Sequence, residues 1–210
     1  MAESKVDVGG WISEAFELYK ANFGLMCVAT LLAALLGVFS CGILAGAMFA
    51  GVVMIVLRTS RGEEPKPEIG DVFKGFDFFL QALLLVLVLG VAYAAAGMVP
   101  FIGAVAGILI APLVMFAMPL VVDRKMEFWP AIVASYEKAK EEYVSLLVLM
   151  LLASLISGLG AILCGIGVIL TAPMGTIIPV VAYRHLFEGA EPDAVPVEEA
   201  PVAPEAPAQA

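Results

Sequence analysis

Ionisable side chains are missing from most of this chain. The 11 basic and 20 acidic residues fall in four belts, 1–20, 58–77, 123–142 and 184–210. The runs between them, Ala21–Leu57, Phe78–Val122 and Tyr143–Tyr183, hold no charge at all. Charge inside a membrane span is costly and is kept where it works, so runs this clean argue against proton relays and ion-coupled carriers. Histidine is also scarce. The one imidazole, His185, follows the last apolar run, so Ser154 or Ser157 would lack the nearby base that a serine nucleophile needs. Hydrolase and transferase chemistry is therefore not expected, and the chain is read as non-enzymatic. The three cysteines, Cys27, Cys41 and Cys164, form neither a CxxC pair nor a ligand set with His185, so no metal and no cofactor is expected.

What remains is apolar. Mean hydropathy is +1.01 with 62% hydrophobic residues, and so little polar surface cannot cover so much apolar mass in water. The composition predicts an integral membrane protein. Runs of 37, 45 and 41 uncharged residues are too long for one crossing of a ~30 Å hydrocarbon layer and suit a helical hairpin each. Turns are offered at Ser40 and Cys41, at Gly97 to Pro100, and between Ser157-Gly158-Gly160 and Cys164-Gly165-Gly167. Three hairpins put every belt, and every Lys and Arg, on one side, which by the positive-inside bias is the cytoplasm. The expectation is six spans with both termini cytoplasmic. The first run is short enough to permit a wedge that enters without crossing. Cys41 and Cys164 sit at matching turns and are read as small apolar turn residues, with an outer disulfide as the alternative.

Each hairpin is preceded by its own amphipathic segment. Val8, Trp11, Ile12, Ala15, Phe16, Tyr19 and Phe23 are spaced three and four apart, with Ser13, Glu14, Glu17 and Lys20 between them. Asn22 and Gly24 then loosen the chain where it turns into the bilayer. The spacing returns at Ile69, Val72, Phe73, Phe76 and Phe79, and again at Phe128, Trp129, Ile132, Tyr136 and Tyr143. Trp11, Tyr19, Phe73, Trp129 and Tyr136 are expected at headgroup depth as interfacial anchors. The chain thus predicts an all-α membrane protein of three repeated units, 8–58, 69–124 and 128–184, with a period near 60 residues. Residues 188–210 read as a disordered acidic tail of Pro, Ala and Glu. Six acids follow Phe187, leaving 14 acids against 11 bases elsewhere, so the net charge of −9 says little about partners. No nucleic-acid binding is expected.

Small residues recur every four positions, at Ala29, Ala33 and Gly37, at Gly42, Gly46 and Ala50, and at Gly103, Gly107 and Ala111. Such stripes let helix backbones approach closely in lipid. Pro112, Pro119, Pro173 and Pro179 remove amide donors and are expected to kink the fourth and sixth spans, opening a lateral groove for a lipid or other apolar ligand. Arg58, Arg124 and Arg184 close the three units. They are expected to anchor topology and to pair with lipid headgroups. The start of the chain shows no short basic region ahead of its first apolar run, so no cleavable signal is expected. Val38-Phe39-Ser40-Cys41 resembles a lipoprotein cleavage site, but its bulky Phe39 and its distance from the start argue against one.

Trp129-Pro130-Ala131, Ala134-Ser135-Tyr136, Leu163-Cys164-Gly165-Ile166-Gly167, Thr171-Ala172-Pro173 and Ala182-Tyr183-Arg184 resemble the C-terminal half of a broad set of uncharacterised bacterial six-span integral membrane proteins. That set is similar to the membrane domain attached to some glycerophosphodiester phosphodiesterases. The resemblance covers roughly 8–187 and implies a bacterial inner-membrane protein with no catalytic residues to carry over; no phosphodiesterase domain is present. The function expected is membrane organisation or support of a partner through lipid contacts. An uncoupled carrier or flippase for a lipophilic substrate is the alternative. The partners expected are membrane lipids and, beyond them, a protein partner or further copies of the chain.

Overall fold

The computed structural model describes residues 6–98, 102–162 and 166–188. Every regular element among them is helical. Helix α1 (Val8–Ala21) is capped by Asp7, whose carboxylate accepts from the Gly10 amide at 2.9 Å. At Asn22 the chain bends by 91° into α2 (Phe23–Phe39). The Asn22 side chain donates to the Leu18 carbonyl at 3.1 Å, closing one helix where the next begins. A tight turn then leads to α3 (Ala45–Arg61). In that turn Cys41 and Gly42 take positive φ values of 51° and 88°. The Gly42 amide reaches back to the Gly37 carbonyl at 2.8 Å, the closure expected when a left-handed residue ends a helix. The turn expected at Ser40 and Cys41 is therefore found.

The second amphipathic segment is a 3₁₀ helix, Ile69–Phe78, and it runs directly into α4 (Phe79–Gly97). Glu68 and Asp71 cap it reciprocally, each side chain accepting the other's amide. Helix α5 (Ile102–Val114) and α6 (Ala117–Asp123) are one run interrupted at Met115 and Phe116. Helix α7 (Phe128–Glu141) lies along the surface before α8 (Tyr143–Ile162). The last run is interrupted too, into α9 (Ile166–Thr171) and α10 (Met174–Phe187), at Ala172 and Pro173. One turn expectation is corrected here. Ser157, Gly158 and Gly160 stay helical inside α8, because Gly160 is a contact point rather than a bend: a methyl placed on it would lie 2.2 Å from the Gly167 carbonyl oxygen. Pro100, Cys164, Gly165 and the tail after Glu188 lie outside the described residues, and with them a Cys41–Cys164 disulfide.

Among the described residues, four helical stretches are long and apolar enough to cross a membrane: Ile69–Gly97, Val105–Asp123, Tyr143–Gly160 and Gly167–Phe187. The bent pair α1 and α2 makes a fifth if counted as one span. Helix α3 is 17 residues long, about 25 Å. The chain thus has the helices of a multi-pass membrane protein.

Burial separates two kinds of helix. Ten residues of α3, six of α6 and ten of α10 are buried. Helices α2, α4 and α8 leave Val38, Leu80, Val91, Val144 and Leu155 exposed by 61% or more. So α3, α6 and α10 form the centre, and the other long helices present aliphatic flanks outward, as lipid requires. The surface segments pack in a consistent way: the 3₁₀ segment on α3, α7 on α5 and α6, and α1 on α10. Between α3 and the 3₁₀ segment the approach is close enough to demand glycine. A Cβ on Gly51 would lie 1.9 Å from the Val72 carbonyl oxygen, and one on Gly75 would lie 1.9 Å from that of Ala47. Since burial of apolar surface does not draw helices together within lipid, such backbone contact is what holds them.

Candidate functional site

Three features could carry function: the faces of the surface segments, the charged rim, and the apolar cavities at the centre.

The surface segments each have an inner and an outer face. On α1 the inner residues are Trp11, Ala15 and Tyr19, at 5%, 0% and 8% exposure. Trp11 and Tyr19, expected at headgroup depth, therefore point into the protein. Trp11 stacks on His185 at 5.3 Å, and Tyr19 donates to the Leu170 carbonyl with its oxygen 3.3 Å from the Cys27 sulfur. The outward aromatics here are instead Phe16 on α1 and Phe23 at the start of α2. On the 3₁₀ segment Val72 and Gly75 are buried, while Phe73 and Phe76 face out. On α7 Ala131, Ser135 and Ala139 are buried, while Trp129 and Tyr136 are about half exposed. Of the five residues expected as interfacial anchors, Phe73, Trp129 and Tyr136 face out of the protein.

The rim gathers the ends of α3, α6 and α10. Arg58 donates to Glu63, to Asp71 at 2.9 Å and to the Pro65 carbonyl at 2.9 Å. Arg124 donates to the Phe187 carbonyl at 3.2 Å and stands 5.3 Å over the Phe187 ring. Arg184 pairs with Glu14 at 3.3 Å and with Glu188 at 3.5 Å. All three arginines expected to meet headgroups are engaged by protein acceptors. The residue that joins the elements is Arg61, not among those expected. It pairs with Asp123 at 2.6 Å and with Glu188, and Tyr183 donates to the other oxygen of Asp123 at 2.8 Å. Partial burial alone would lower the affinity of Arg61 for its proton. Hydrogen bonds to Glu188 and Asp123 outweigh that and hold it higher, so the charge is permanent. Arg61 was legible as one more base in a belt; its partners lie 62 and 127 residues away and leave no local trace.

Two hollows lie along α3. One, about 240 Å³, is lined by Phe49, Leu89, Tyr93, Met118, Thr176 and Pro179 among others. The second, about 570 Å³, is an open cleft between α2 and α3 that runs from Phe49 and Thr176 to the exposed turn at Cys41 and Gly42, with Thr30, Ala33, Ala45 and Val52 also along it. Phe49 and Thr176 line both. Of the four prolines, Pro119 and Pro179 line the smaller cavity, while Pro112 lies within α5 and Pro173 caps α10. The Thr30 and Ser157 hydroxyl oxygens are buried without a hydrogen-bond partner among the described residues.

The two helix breaks are filled by side chains from the surface segments. Ser135 accepts from the Phe116 amide at 3.2 Å and donates to the Leu113 carbonyl at 2.7 Å, bridging α5 to α6. Tyr143, at the start of α8, donates to the Leu109 carbonyl at 2.9 Å. Tyr19 does the same for α9. Backbone groups released at a broken helix in lipid must be satisfied by protein, and Ser135 and Tyr19 do so.

The fold and these features define a helical multi-pass membrane protein with a charged rim and an apolar centre. No protein-family model, no curated protein and no solved structure matches the chain.

Proposed function

We propose that the chain is a non-enzymatic six-span protein of three units, 8–58, 69–124 and 128–184, that organises membrane lipid at its charged face. The observation that carries this reading is the disposition of the surface segments. Each buries one face on the helix closing another unit and turns aromatic rings outward: Phe16 on α1 with Phe23 just past its end, Phe73 and Phe76 on the 3₁₀ segment, Trp129 and Tyr136 on α7. Rings held rigidly at headgroup depth around one end of a bundle displace lipid headgroups on that side only, which biases packing and curvature. The same cyclic packing supports the threefold repeat. The basic residues of the belts support a cytoplasmic placement of that face, and the bacterial inner membrane is the setting the resemblance implies.

The test is reconstitution of the full chain into vesicles of defined lipid, reading vesicle diameter by cryo-imaging and lipid order by a headgroup-depth probe. Replacing Phe16, Phe23, Phe73, Phe76, Trp129 and Tyr136 together by Ser removes the outer rings while sparing every buried one. The expected outcome is that the wild type changes both readings with protein density and the variant changes neither. Equal effects from the two proteins sink the reading.

The apolar cavity beside Pro119 and Pro179 favours a second reading, an uncoupled carrier for a lipophilic molecule. It requires faster lipid exchange between leaflets than in empty vesicles.

A further inference from the structure

The second uncharged run, Phe78–Val122, begins and ends at the rim. Before its start Lys74 is held by Asp71 at 2.7 Å; after its end Asp123 is taken by Arg61 and Tyr183, and Arg124 leans on Phe187. Asp77 and Lys125 are left over. Both are exposed, and among the described residues neither has an ion pair or a hydrogen bond. They line one hollow of about 400 Å³ with Phe78, Leu80, Gln81 and Met126, yet they do not pair with each other. Glu127, the other carboxylate of that loop, is not part of the lining.

Gln81 adds an oriented donor. Its Oε1 accepts from the Phe128 amide at 3.0 Å, which fixes the other end of the side chain as the NH2 group. That group is accessible and has no partner among the described residues. Lys125 stands where a glycine would serve the backbone better. It follows α6 with a positive φ of 53°, and the Met126 amide closes back on the Leu120 carbonyl at 3.4 Å. Such a closure usually ends on glycine, because a side chain is strained at positive φ. A lysine kept there against that strain supplies an ammonium to the hollow.

Below the hollow α4 presents an aliphatic track. Leu80, Leu87 and Val91 share one side of the helix and are exposed by 57% or more. From Leu80 to Val91 the rise is about 16 Å, half of a ~30 Å hydrocarbon layer and so the depth of one leaflet. Charge at one end and a leaflet of aliphatic side chains beneath it match a lipid. The three polar groups then select its head. An anionic headgroup would use both donors but leave Asp77 unpaired beside a second negative charge. A choline has no N–H to give a carboxylate, and quaternary ammonium is otherwise held by aromatic cages, of which Phe78 is a single wall. A primary ammonium on a phosphodiester uses all three.

We propose that the start of α4 and the loop between α6 and α7 form a binding site for one zwitterionic phospholipid of the phosphatidylethanolamine type. The phosphodiester accepts from Gln81 and Lys125, the ammonium donates to Asp77, and one acyl chain lies along Leu80, Leu87 and Val91. Arg58, Arg124 and Arg184 take no part, since protein acceptors already hold them. The site rests on the reading that the rim lies at headgroup depth, but it uses none of the outer rings.

The experiment uses the full chain in phosphatidylcholine vesicles carrying a trace of phosphatidylethanolamine with a photoreactive diazirine near the glycerol end of one chain. Adducts are mapped by peptide mass spectrometry. Phosphatidylcholine and phosphatidylglycerol probes with the same chains run in parallel. The expected result is adducts from the ethanolamine probe on residues 77–84 and 125–128, displaced by unlabelled phosphatidylethanolamine. The other two probes label those peptides about tenfold less, the loss of one hydrogen bond to a charged group. Asp77→Asn brings the ethanolamine probe down to the choline level. Lys125→Gly lowers it by the same factor, while thermal unfolding in detergent stays at or above the wild type because glycine suits the left-handed position. Loss of labelling in that variant is therefore not loss of fold. Equal labelling by the three probes, or full labelling of Lys125→Gly, overturns the site. Displacement by chain-free glycerophosphoethanolamine as readily as by the unlabelled lipid overturns the lipid assignment in favour of a soluble zwitterion. The outer-ring Ser variant should keep these adducts, and Asp77→Asn should keep the effects on vesicle diameter and lipid order, so failure of the organising role and failure of this site are read separately.

Discussion

Tyr19 donates its hydroxyl hydrogen bond to the main-chain carbonyl of Leu170, 151 residues away. The bond ties the surface helix α1 to the end of α9. There the chain is interrupted at Ala172 and Pro173, and Pro173 has no amide to offer. Terminal carbonyls of a helix have no partner within it, so a side chain from outside supplies one. Removing that hydroxyl leaves a carbonyl unsatisfied away from water.

Tyr19→Phe should therefore cost about 1–2 kcal/mol, the range for stranding a buried acceptor. Thermal unfolding in a mild detergent measures it. Hydrogen exchange should rise selectively in α9 and α10 while α4 stays as protected as in the wild type. A loss spread evenly over all helices would mean that the ring packs but the hydroxyl contributes nothing.

Ser135 makes the corresponding repair between α5 and α6, and it is wholly buried. Ser135→Ala removes both the acceptor for the Phe116 amide and the donor to Leu113. The expected cost is about 2–3 kcal/mol, because two backbone groups are stranded rather than one. The specific signature is faster exchange of the Phe116 amide.

The glycines between α3 and the 3₁₀ segment should be the least tolerant of the smallest change. Gly51→Ala or Gly75→Ala puts a methyl inside a backbone carbonyl contact, which cannot yield as a flexible side chain would. Overpacking costs about 1–3 kcal/mol where neighbours can shift, and here the top of that range or beyond is expected. Gly90→Ala is the contrast. Nothing lies within 4 Å of that position in α4, so a gain of about 0.5–1 kcal/mol is expected from helix propensity. Equal tolerance at Gly51 and Gly90 would contradict the close approach.

How much of this was legible follows the range of each interaction. The surface segment from Val8, the bend at Asn22, the turn at Cys41 and the helix from Phe128 all rest on local spacing and turn chemistry, and the structure places them there. Periodicity gave the 3₁₀ segment its outward rings at Phe73 and Phe76. It could not give the tighter winding, which accompanies the backbone contact of Val72 and Gly75 with Gly51 and Ala47 of α3. The same limit applies on α1. Amphipathic spacing identifies a stripe but not whether a ring on it meets lipid or protein, and Trp11 and Tyr19 met protein because His185 and Leu170 come back beside them. Ser135 was visible only as part of a resemblance. Its role depends on a break in another helix.

Arg61 offers a test of the rim. It joins α3 to Asp123 at the end of α6 and to Glu188 beyond α10, with 27% of its side chain exposed. Exposed pairs are worth under about 1 kcal/mol each, but a half-buried hub with two partners should exceed a single one. Arg61→Gln is expected to cost about 1–2 kcal/mol. A double-mutant cycle with Asp123→Asn should show coupling of at least about 0.5 kcal/mol. Additive losses would reduce the rim to independent surface pairs.

The crossing of the first hairpin is decided at Cys41, which is exposed in the turn between α2 and α3 while Cys27 is buried. Helices of 17 residues on each side of that turn reach about 25 Å, a little less than a ~30 Å hydrocarbon layer. With Cys27 and Cys164 replaced by Ser, a membrane-impermeant maleimide added to intact cells should label Cys41 if the hairpin crosses. In the same background with Cys41 also replaced, Lys138→Cys on α7 should react only after permeabilisation, since the belts share the opposite side. Labelling of both thiols from outside would break the single-sided belt arrangement and the six-span count with it. A Cys41 that is protected in cells but reactive in detergent would make the first hairpin a wedge held within the bilayer.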